Sequence, residues 1–186
     1  MDNGESSYRR FLNGDDKGLE EIVRDYKDGL LFYLLGFVKD FHTAEDLMQE
    51  TFFRLITRRP HFSPRYRFST WLYTIARHAA LDHLRQEGRQ TVLPSEDISL
   101  DESEWQDLEE TVLKEERRIQ VHRAMRKLPA DYQQVLWLIW FEALSPAEAA
   151  AVMKKNARQM KNLVYRAKAA LRSQLEKDGF EYEGLS

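Results

Sequence analysis

The sequence predicts an all-α fold in which an acidic flexible linker joins two small helical domains, the second of them a helix-turn-helix domain. Three observations lead to this prediction. Glycine (8) and proline (5) are few among the 186 residues, and the runs of β-branched residues that are typical of strands are missing. Apolar residues recur at spacings of three and four, and helix-capping residues precede several of these segments. One segment near the middle is acidic, and its apolar residues do not recur at spacings of three and four.

The first domain, residues 1–88, is predicted to begin with two long helices. The first runs over residues 16–40 and could break at Gly29 or Gly36. The second runs over residues 43–59 and starts with Thr-Ala-Glu-Asp, which fits a capping box.

A third helix and then a change of composition mark the end of this domain. Ser69 can cap the helix, which reaches about Gln86, and Gly88 is a plausible stop. Residues 89–112 are predicted to form the linker. Between Gln90 and Glu110 there are eight acidic residues and no lysine or arginine. About 24 flexible residues span roughly 25–30 Å on average, so two sites well apart on one DNA are within reach.

The second domain, residues 113–186, is predicted to hold four helices and a short tail. The first two reach about Leu128 and cover residues 132–141. The third has the best start signal in the chain: Ser145 can cap it, proline follows at the first helical position, and glutamate stands three residues after the cap. This helix is short and rich in alanine, and it ends near Met153.

A tight turn at residues 154–156 and a last helix over 157–177, capped by Asn156, complete the layout of a helix-turn-helix. Met160, Val164, Ala167 and Leu171 recur at helical spacing and should face the core. Three outward residues suit base edges (Arg158, Gln159 and Asn162), and three suit phosphates (Lys161, Arg166 and Lys168). An ordinary helical hairpin with a solvated basic face is the alternative.

Charge is distributed unevenly along the chain. The net charge is −3, but residues 53–81 carry six arginines and no acid, and residues 145–175 carry seven lysines and arginines and one acid. A nucleic acid responds to the charge of the face that it touches. The pattern therefore indicates two candidate phosphate-binding surfaces on either side of the acidic segment.

Several classes of protein and site are excluded by composition. The chain has no cysteine, and its five histidines show no ligand spacing, so we expect no metal. No nucleophile–base arrangement or glycine-rich phosphate loop is present, so we expect no cofactor and no catalytic residue. There is no apolar run of membrane-spanning length and no signal peptide, so we expect a cytoplasmic protein without direct membrane insertion.

The segment 58–71 interleaves arginines with aromatic residues, and the helix after it carries polar residues along one side. Aromatic faces stack on unpaired bases and arginines neutralise the backbone, so single-stranded nucleic acid is a suitable ligand. The alternative places the aromatic rings in the core and the arginines in solvent. The candidate binding residues are Arg65, Tyr66, Arg67, Trp71, Thr74, Arg77, His78 and Arg85.

The helix over 43–59 has an unusual outward face. Its buried side should comprise Leu47, Met48, Thr51, Phe52 and Leu55. The opposite side carries a phenylalanine among polar and acidic residues, which suits a basic and partly apolar partner. Scattered exposed apolar residues are also common, so a plain solvated face is the alternative. The outward residues are Asp46, Gln49, Glu50 and Phe53.

Three segments resemble a known family. Residues 43–55 (TAEDLMQETFFRL) resemble the polymerase-docking helix of the sigma-70 family of RNA polymerase specificity subunits. Residues 68–85 (FSTWLYTIARHAALDHLR) resemble the promoter-melting, minus-ten-reading helix of its extracytoplasmic-function group. Residues 128–136 (LPADYQQVL), with the helix-turn-helix after them, are similar to that group's minus-thirty-five-reading domain. The resemblance spans roughly residues 15–175.

The resemblance implies a transcription factor that guides core RNA polymerase to promoters, not an enzyme. Asp46, Gln49, Glu50 and Phe53 would bind the coiled coil of the polymerase's largest subunit, and the flap region would be a further contact. The segment 65–85 would bind and melt minus-ten DNA, capturing a flipped base near Arg77 and His78. The last helix would bind double-stranded minus-thirty-five DNA. An anti-sigma factor would hold the protein inactive until a stress or envelope signal.

Three residues depart from the group's usual pattern. His78 replaces asparagine, Lys154 replaces the glycine of the turn, and Leu163 replaces an arginine. Two other functions stay open from the residues alone. A stand-alone DNA-binding regulator would explain the helix-turn-helix but not the outward face of the 43–59 helix. A helical protein that sequesters another factor would not need two basic zones.

Overall fold

The computed structural model describes residues 3–38, 40–59, 65–88 and 101–180, and the all-α prediction is confirmed: none of these residues forms a strand. A π-helical turn, Trp137–Phe141, continues the seventh helix. Of the helices described, none has the length and apolar character needed to span a membrane. The helices are α1 (Asn3–Leu12), α2 (Asp16–Val38), α3 (Phe41–Arg58), α4 (Phe68–Gln86), α5 (Glu102–Leu113), α6 (Glu116–Arg126), α7 (Ala130–Leu136), α8 (Pro146–Met153) and α9 (Ala157–Lys177).

Helices α1 to α4 form the first domain, around α2. The helix α1, which has no clear signal in the sequence, packs along α2. Gly18 permits this approach, because a Cβ atom there would lie 2.2 Å from the backbone oxygen of Ser7. The helix α2 is unbroken at Gly29 and Gly36, and all its residues from Leu30 to Phe37 are buried. Burial of residues 30–37 keeps α2 continuous through both glycines, since this packing outweighs their low helix propensity.

Two predicted helix starts are wrong. The cap of α3 is Asp40, whose carboxylate accepts a hydrogen bond from the Thr43 amide (2.8 Å), so Thr43 lies inside the first turn. The helix α4 begins at Phe68, one residue before the predicted Ser69 cap, and Ser69 is buried. The Phe68 ring is buried among the rings of α1 and α2, which favours an earlier start than local capping would predict.

Half of the predicted flexible linker is a packed helix. Asp101 and Glu104 form a capping box at the start of α5, and Trp105 and Glu109 are buried against the second domain. These contacts order the segment, whose apolar residues are too few to show a clear period in the sequence. The other half of the linker, residues 89–100, lies outside the described residues, as do residues 60–64 and 181–186.

Helices α6 to α9 form the second domain, and this domain packs against the first. Helix α7 contacts α2, and α8 contacts α4. The Phe32 ring of α2 stacks on Trp137 (ring centroids 5.1 Å apart) and meets His122 edge-on (4.8 Å). The hydrophobic core therefore continues from one domain into the other.

Candidate nucleic-acid interface

The outward face of α3 is exposed as expected. Asp46 and Gln49 are exposed, Glu50 is partly exposed, and 59% of Phe53 is accessible. The expected inner side is buried, with Met48 partly so. We call the residues Asp46, Gln49, Glu50 and Phe53 the α3 stripe.

One member of the α3 stripe already has a partner. Glu50 accepts a hydrogen bond from Arg54 Nε (2.8 Å), and Arg54 Nη1 also reaches Asp82 on α4 (3.3 Å). These carboxylates raise the pKa of Arg54, and the hydrogen bond that Arg54 donates to Glu50 is the largest cause. Asp46, Gln49 and Phe53 are therefore the exposed members of the stripe.

The recognition helix α9 presents a basic face to solvent. Its predicted core residues Met160, Ala167 and Leu171 are buried and Val164 is partly buried. Leu163 is buried too, so this position faces the core. The leucine that replaces the group's usual arginine therefore costs the outward face no side chain. All six predicted DNA-binding residues are exposed: Arg158, Gln159, Lys161, Asn162, Arg166 and Lys168.

Two of these six side chains have local roles as well. The side-chain oxygen of Gln159 accepts a hydrogen bond from the backbone N–H of Asn156 (2.9 Å), which completes a capping box. The side-chain NH2 group of Gln159 can still donate to other partners. The Lys168 ammonium lies 5.8 Å from the centre of the Trp140 ring, a cation–π distance. The exposed Tyr165 also lies on this helix, with 76% of its surface accessible, and it was not among the predicted binding residues.

Helix α8 starts and ends where the sequence predicts. The Ser145 hydroxyl accepts from the Glu148 amide (3.2 Å), and the Glu148 carboxylate accepts from the Ser145 amide (2.8 Å). Lys154 ends α8 in the left-handed region (φ 51°, ψ 47°). Glycine adopts this conformation without steric cost, so Lys154 holds backbone strain in the turn.

The predicted minus-ten residues do not form one open surface. Arg65 and Arg85 are exposed, and the Arg65 guanidinium lies over the Tyr66 ring (5.5 Å). Trp71 is partly buried against the Tyr8 ring (5.2 Å). The Thr74 hydroxyl donates to a backbone oxygen of its own helix (2.8 Å).

Arg67 is bound by the second domain. Its Nε and Nη2 atoms lie 3.0 and 3.1 Å from the two carboxylate oxygens of Glu148, and Nη2 donates to the Ala143 backbone oxygen (2.6 Å). Burial would raise the pKa of Glu148, but hydrogen bonds from Arg67 and Ser145 outweigh it and lower that pKa to about 2. Local sequence signals mark Glu148 only as a capping residue, because they carry no sign of a contact across 81 positions.

Arg77 and His78 are partly buried in the same region. Arg77 Nε and His78 Nε2 have no hydrogen-bond partner among the residues that the structure describes. Burial, with the charges of Lys154 and Arg77 beside it, lowers the pKa of His78. The imidazole is therefore neutral near pH 7, and both of these unpartnered polar atoms are buried. Within the described part of the chain, no group of acidic and histidine residues could hold a metal ion.

Two family models match the chain and identify its family. The model of Sigma-70 region 2 matches residues 22–90, and that of Sigma-70, region 4 matches residues 118–171. The chain belongs to the sigma-70 family. It is a sigma factor of the extracytoplasmic-function group, and several relatives of that group match it over most of their length. As such it directs core RNA polymerase to promoter DNA to initiate transcription.

Curated relatives agree with this family, and solved structures are similar in fold. The chain is 29% identical to the RNA polymerase sigma-H factor of Pseudomonas aeruginosa (90% of this chain, 91% of the relative). It is 30% identical to the ECF RNA polymerase sigma factor SigC of Mycobacterium tuberculosis (89% and 87%). The sigma factor RpoE of Bartonella quintana, solved in complex with the anti-sigma factor NepR, is similar in fold (TM-score 0.61, 22% identity, 86% of this chain and 98% of that one). CnrH, solved with the cytosolic domain of CnrY, is similar to the same degree (TM-score 0.61, 19% identity, 94% and 96%).

Proposed function

We propose that this sigma factor uses three separate surfaces, one for polymerase and two for promoter DNA. The observation that carries the proposal is α9, where six residues suited to DNA are exposed on a helix whose other side is buried. Residues 1–88 would act as the polymerase-docking and minus-ten domain, and residues 113–186 as the minus-thirty-five domain.

The α3 stripe is proposed to bind core polymerase. Phe53 supplies an exposed apolar centre, and Asp46 lies two helical turns before it on the same side. Interfaces of this kind concentrate their binding energy in a few aromatic and charged residues. A partly apolar partner with basic residues, such as a coiled coil of the polymerase's largest subunit, fits this surface.

The DNA-binding surfaces are proposed to differ in what they read. On α9, Arg158, Gln159 and Asn162 would meet base edges, while Lys161, Arg166 and Lys168 would bind phosphates. The residues from Arg65 to Arg85 would bind the melted minus-ten strand, with a flipped base near Arg77 and His78. The aromatic and cationic groups there suit unpaired bases and their backbone.

We also propose how the protein is regulated and where it acts. RpoE of Bartonella quintana was solved with an anti-sigma factor, and on that likeness we expect an anti-sigma factor to hold this chain in a stress or envelope response. It would act in the cytoplasm, where polymerase and promoters are, and would catalyse no reaction itself.

Run-off transcription tests the proposed function. The purified chain is mixed with bacterial core polymerase and a library of promoter fragments. Initiation that requires the chain is expected, and the enriched fragments would define its promoter. Absence of initiation, together with no co-elution of chain and core, would instead support a stand-alone regulator.

A double variant tests the α3 stripe. Asp46→Ala combined with Phe53→Ala should weaken binding to core polymerase by about tenfold or more, because hot-spot residues contribute about 2 kcal/mol or more. Both side chains are exposed, so the helical content should not change. Glu20→Ala, which removes an exposed acid from α2, is the matched control and should bind core normally. Equal affinities of all three proteins would refute the assignment.

A further inference from the structure

Arg59, the residue that follows α3, has a backbone conformation that suits glycine. Its φ is 37° and its ψ is 49°, in the left-handed region. A side chain in this region brings Cβ close to a carbonyl oxygen, so helices commonly end with glycine there. Strained positions of this kind cluster at functional sites. A function of the side chain would account for an arginine at this strained position.

The Arg59 side chain lies over an aromatic ring. Its Cζ atom is 5.0 Å from the centre of the Phe11 ring of α1, and Phe11 is buried. A cation–π attraction holds a guanidinium above a ring, while its N–H groups can still donate hydrogen bonds to an anion. Arg59 itself is exposed. The ring thus fixes the position of the charge without neutralising it.

The charge of Arg59 is not balanced by an acid. Within the described part of the chain, no carboxylate pairs with it. Two other arginines of this region, Arg54 and Arg67, do bind carboxylates. An anion that binds Arg59 therefore has no ion pair to break, in contrast to an anion that binds either of the other two.

Arg59 also lies close to an aromatic residue that is proposed to bind minus-ten DNA. Burial raises the pKa of Tyr8 on α1, and the nearby charge of Arg59 opposes that shift. The Tyr8 ring contacts Trp71 of α4, with ring centres 5.2 Å apart. One ring, that of Tyr8, thus has both the Arg59 charge and the Trp71 indole as neighbours.

We propose that Arg59 is a further nucleic-acid contact, which binds a phosphate of the unpaired minus-ten strand beside Trp71. This inference rests on the proposed role of residues 65–85 and extends that surface to the end of α3. Aromatic rings with arginines beside them suit single strands, because the rings stack on bases while the arginines bind the backbone. A phosphate contact contributes affinity and carries no sequence information, so Arg59 should not change which bases are preferred.

The salt dependence of DNA binding tests this inference. The complex of core polymerase and the chain is titrated with a single-stranded oligonucleotide that carries the minus-ten sequence of a fragment enriched in run-off transcription. Each phosphate contact on a single strand contributes about −0.7 to the slope of log K against log salt, so Arg59→Gly should make the slope shallower by about 0.7 and weaken binding about fivefold at about 0.1 M salt. Arg59→Lys should keep the slope, since it keeps the charge.

Two substitutions at this position separate the side chain from the backbone. Arg59→Gly and Arg59→Ala both remove the guanidinium, but only glycine relieves the left-handed conformation, so the glycine variant should unfold at the higher temperature. Their affinities for the oligonucleotide should nevertheless be equal. Affinities that follow thermal stability, with an unchanged salt slope, would overturn the inference. Arg24→Ala, which removes an exposed arginine of α2, is the control and should leave the slope unchanged.

Neutral linkages in the DNA give a second readout. Methylphosphonates placed one at a time in the oligonucleotide each remove one negative charge. One position should weaken binding of the unmodified chain about fivefold and have no effect on Arg59→Gly, because the two changes remove the same contact. The same losses at every position in both proteins would contradict the inference while leaving the proposed function intact. Failure of the unmodified chain to direct initiation would refute the proposed function, and this inference with it.

Discussion

At the scale of single residues, Glu109 on α5 is a fully buried carboxylate surrounded by basic side chains of α6. His122 Nδ1 lies 2.7 Å from it, Arg123 Nε 3.0 Å and Arg126 Nε 3.1 Å. Burial would raise the pKa of Glu109, but His122 and the two arginines outweigh it and lower that pKa. The carboxylate thus stabilises the fold above about pH 4.5 and loses this effect as the pH falls below that value.

Removing this carboxylate should destabilise the second domain. We expect Glu109→Ala to lower the free energy of unfolding by about 3–5 kcal/mol, because it leaves buried basic groups without a counter-charge. Urea unfolding at pH 7 measures the change. Asp107→Ala, an exposed acid on the same helix, is the control and should change little. A small effect of Glu109→Ala would mean that water or a neighbouring group replaces the carboxylate.

Substitution of two residues of α9 should affect DNA binding in two different ways. Arg158→Ala should reduce discrimination among minus-thirty-five sequences by about 1–3 kcal/mol, whereas Lys161→Ala should weaken binding to all sequences alike and lower the salt slope by about one. Both side chains are exposed, so each variant should fold. Binding to a panel of promoter variants at several salt concentrations separates the two effects. Unchanged sequence preference in Arg158→Ala would refute its assignment to base edges.

At the scale of elements, the helix-turn-helix has a strained turn whose relief can be measured. Lys154 adopts φ 51°, a conformation that costs a side-chain-bearing residue roughly 1–2 kcal/mol. Lys154→Gly should raise the free energy of unfolding by about 0.5–1 kcal/mol, because the relief of strain exceeds the added entropy of the unfolded chain.

The neighbouring position supplies the control for this turn. Lys155 is not among the residues with positive φ, so Lys155→Gly should lower the free energy of unfolding by about 0.4–1 kcal/mol. Thermal and urea unfolding of both variants measure the difference. Destabilisation by Lys154→Gly as well would show that the lysine side chain stabilises the turn by more than its backbone strain costs.

At the scale of the whole molecule, Glu142 makes the stability of the packed arrangement depend on pH. Burial raises the pKa of Glu142 above 4.5, although Tyr73 and Trp137 beside it oppose the shift. The packed state therefore binds the proton more tightly than the unfolded chain. Its stability decreases as the pH rises above about 4.5, until the carboxyl is ionised in both states.

Glu142→Gln should remove this dependence. The neutral amide keeps the shape of the side chain, so the variant should have a higher free energy of unfolding near pH 8 and a flatter profile between about pH 5 and 8. Glu20→Gln, at an exposed position, should keep the profile of the unmodified chain. Lower stability of Glu142→Gln at pH 8 would show that the charge itself holds the domains together, through Arg118 and Arg67 nearby.

Much of the fold and the faces of two candidate surfaces followed from the sequence alone. The capping box at Ser145 and the cap at Asn156 follow from the sequence, as do the buried and exposed sides of α3 and α9. These features depend on residues three or four apart, whose relative positions the helix itself determines. The end of α4 after Gln86 is also marked locally, by Gly88. This glycine adopts φ 72°, a conformation that favours glycine.

Only the tertiary structure decided the features that depend on distant residues. Helices α1 and α5 are stabilised by packing on α2 and α6, and Arg67 finds Glu148 at a distance of 81 positions in sequence. A sequence pattern shows that Arg67 is a cation in an aromatic segment, but its partner depends on how the domains pack. Local periodicity thus determined which residues form helices and which sides face outward, whereas long-range contacts determined which of those sides remain accessible.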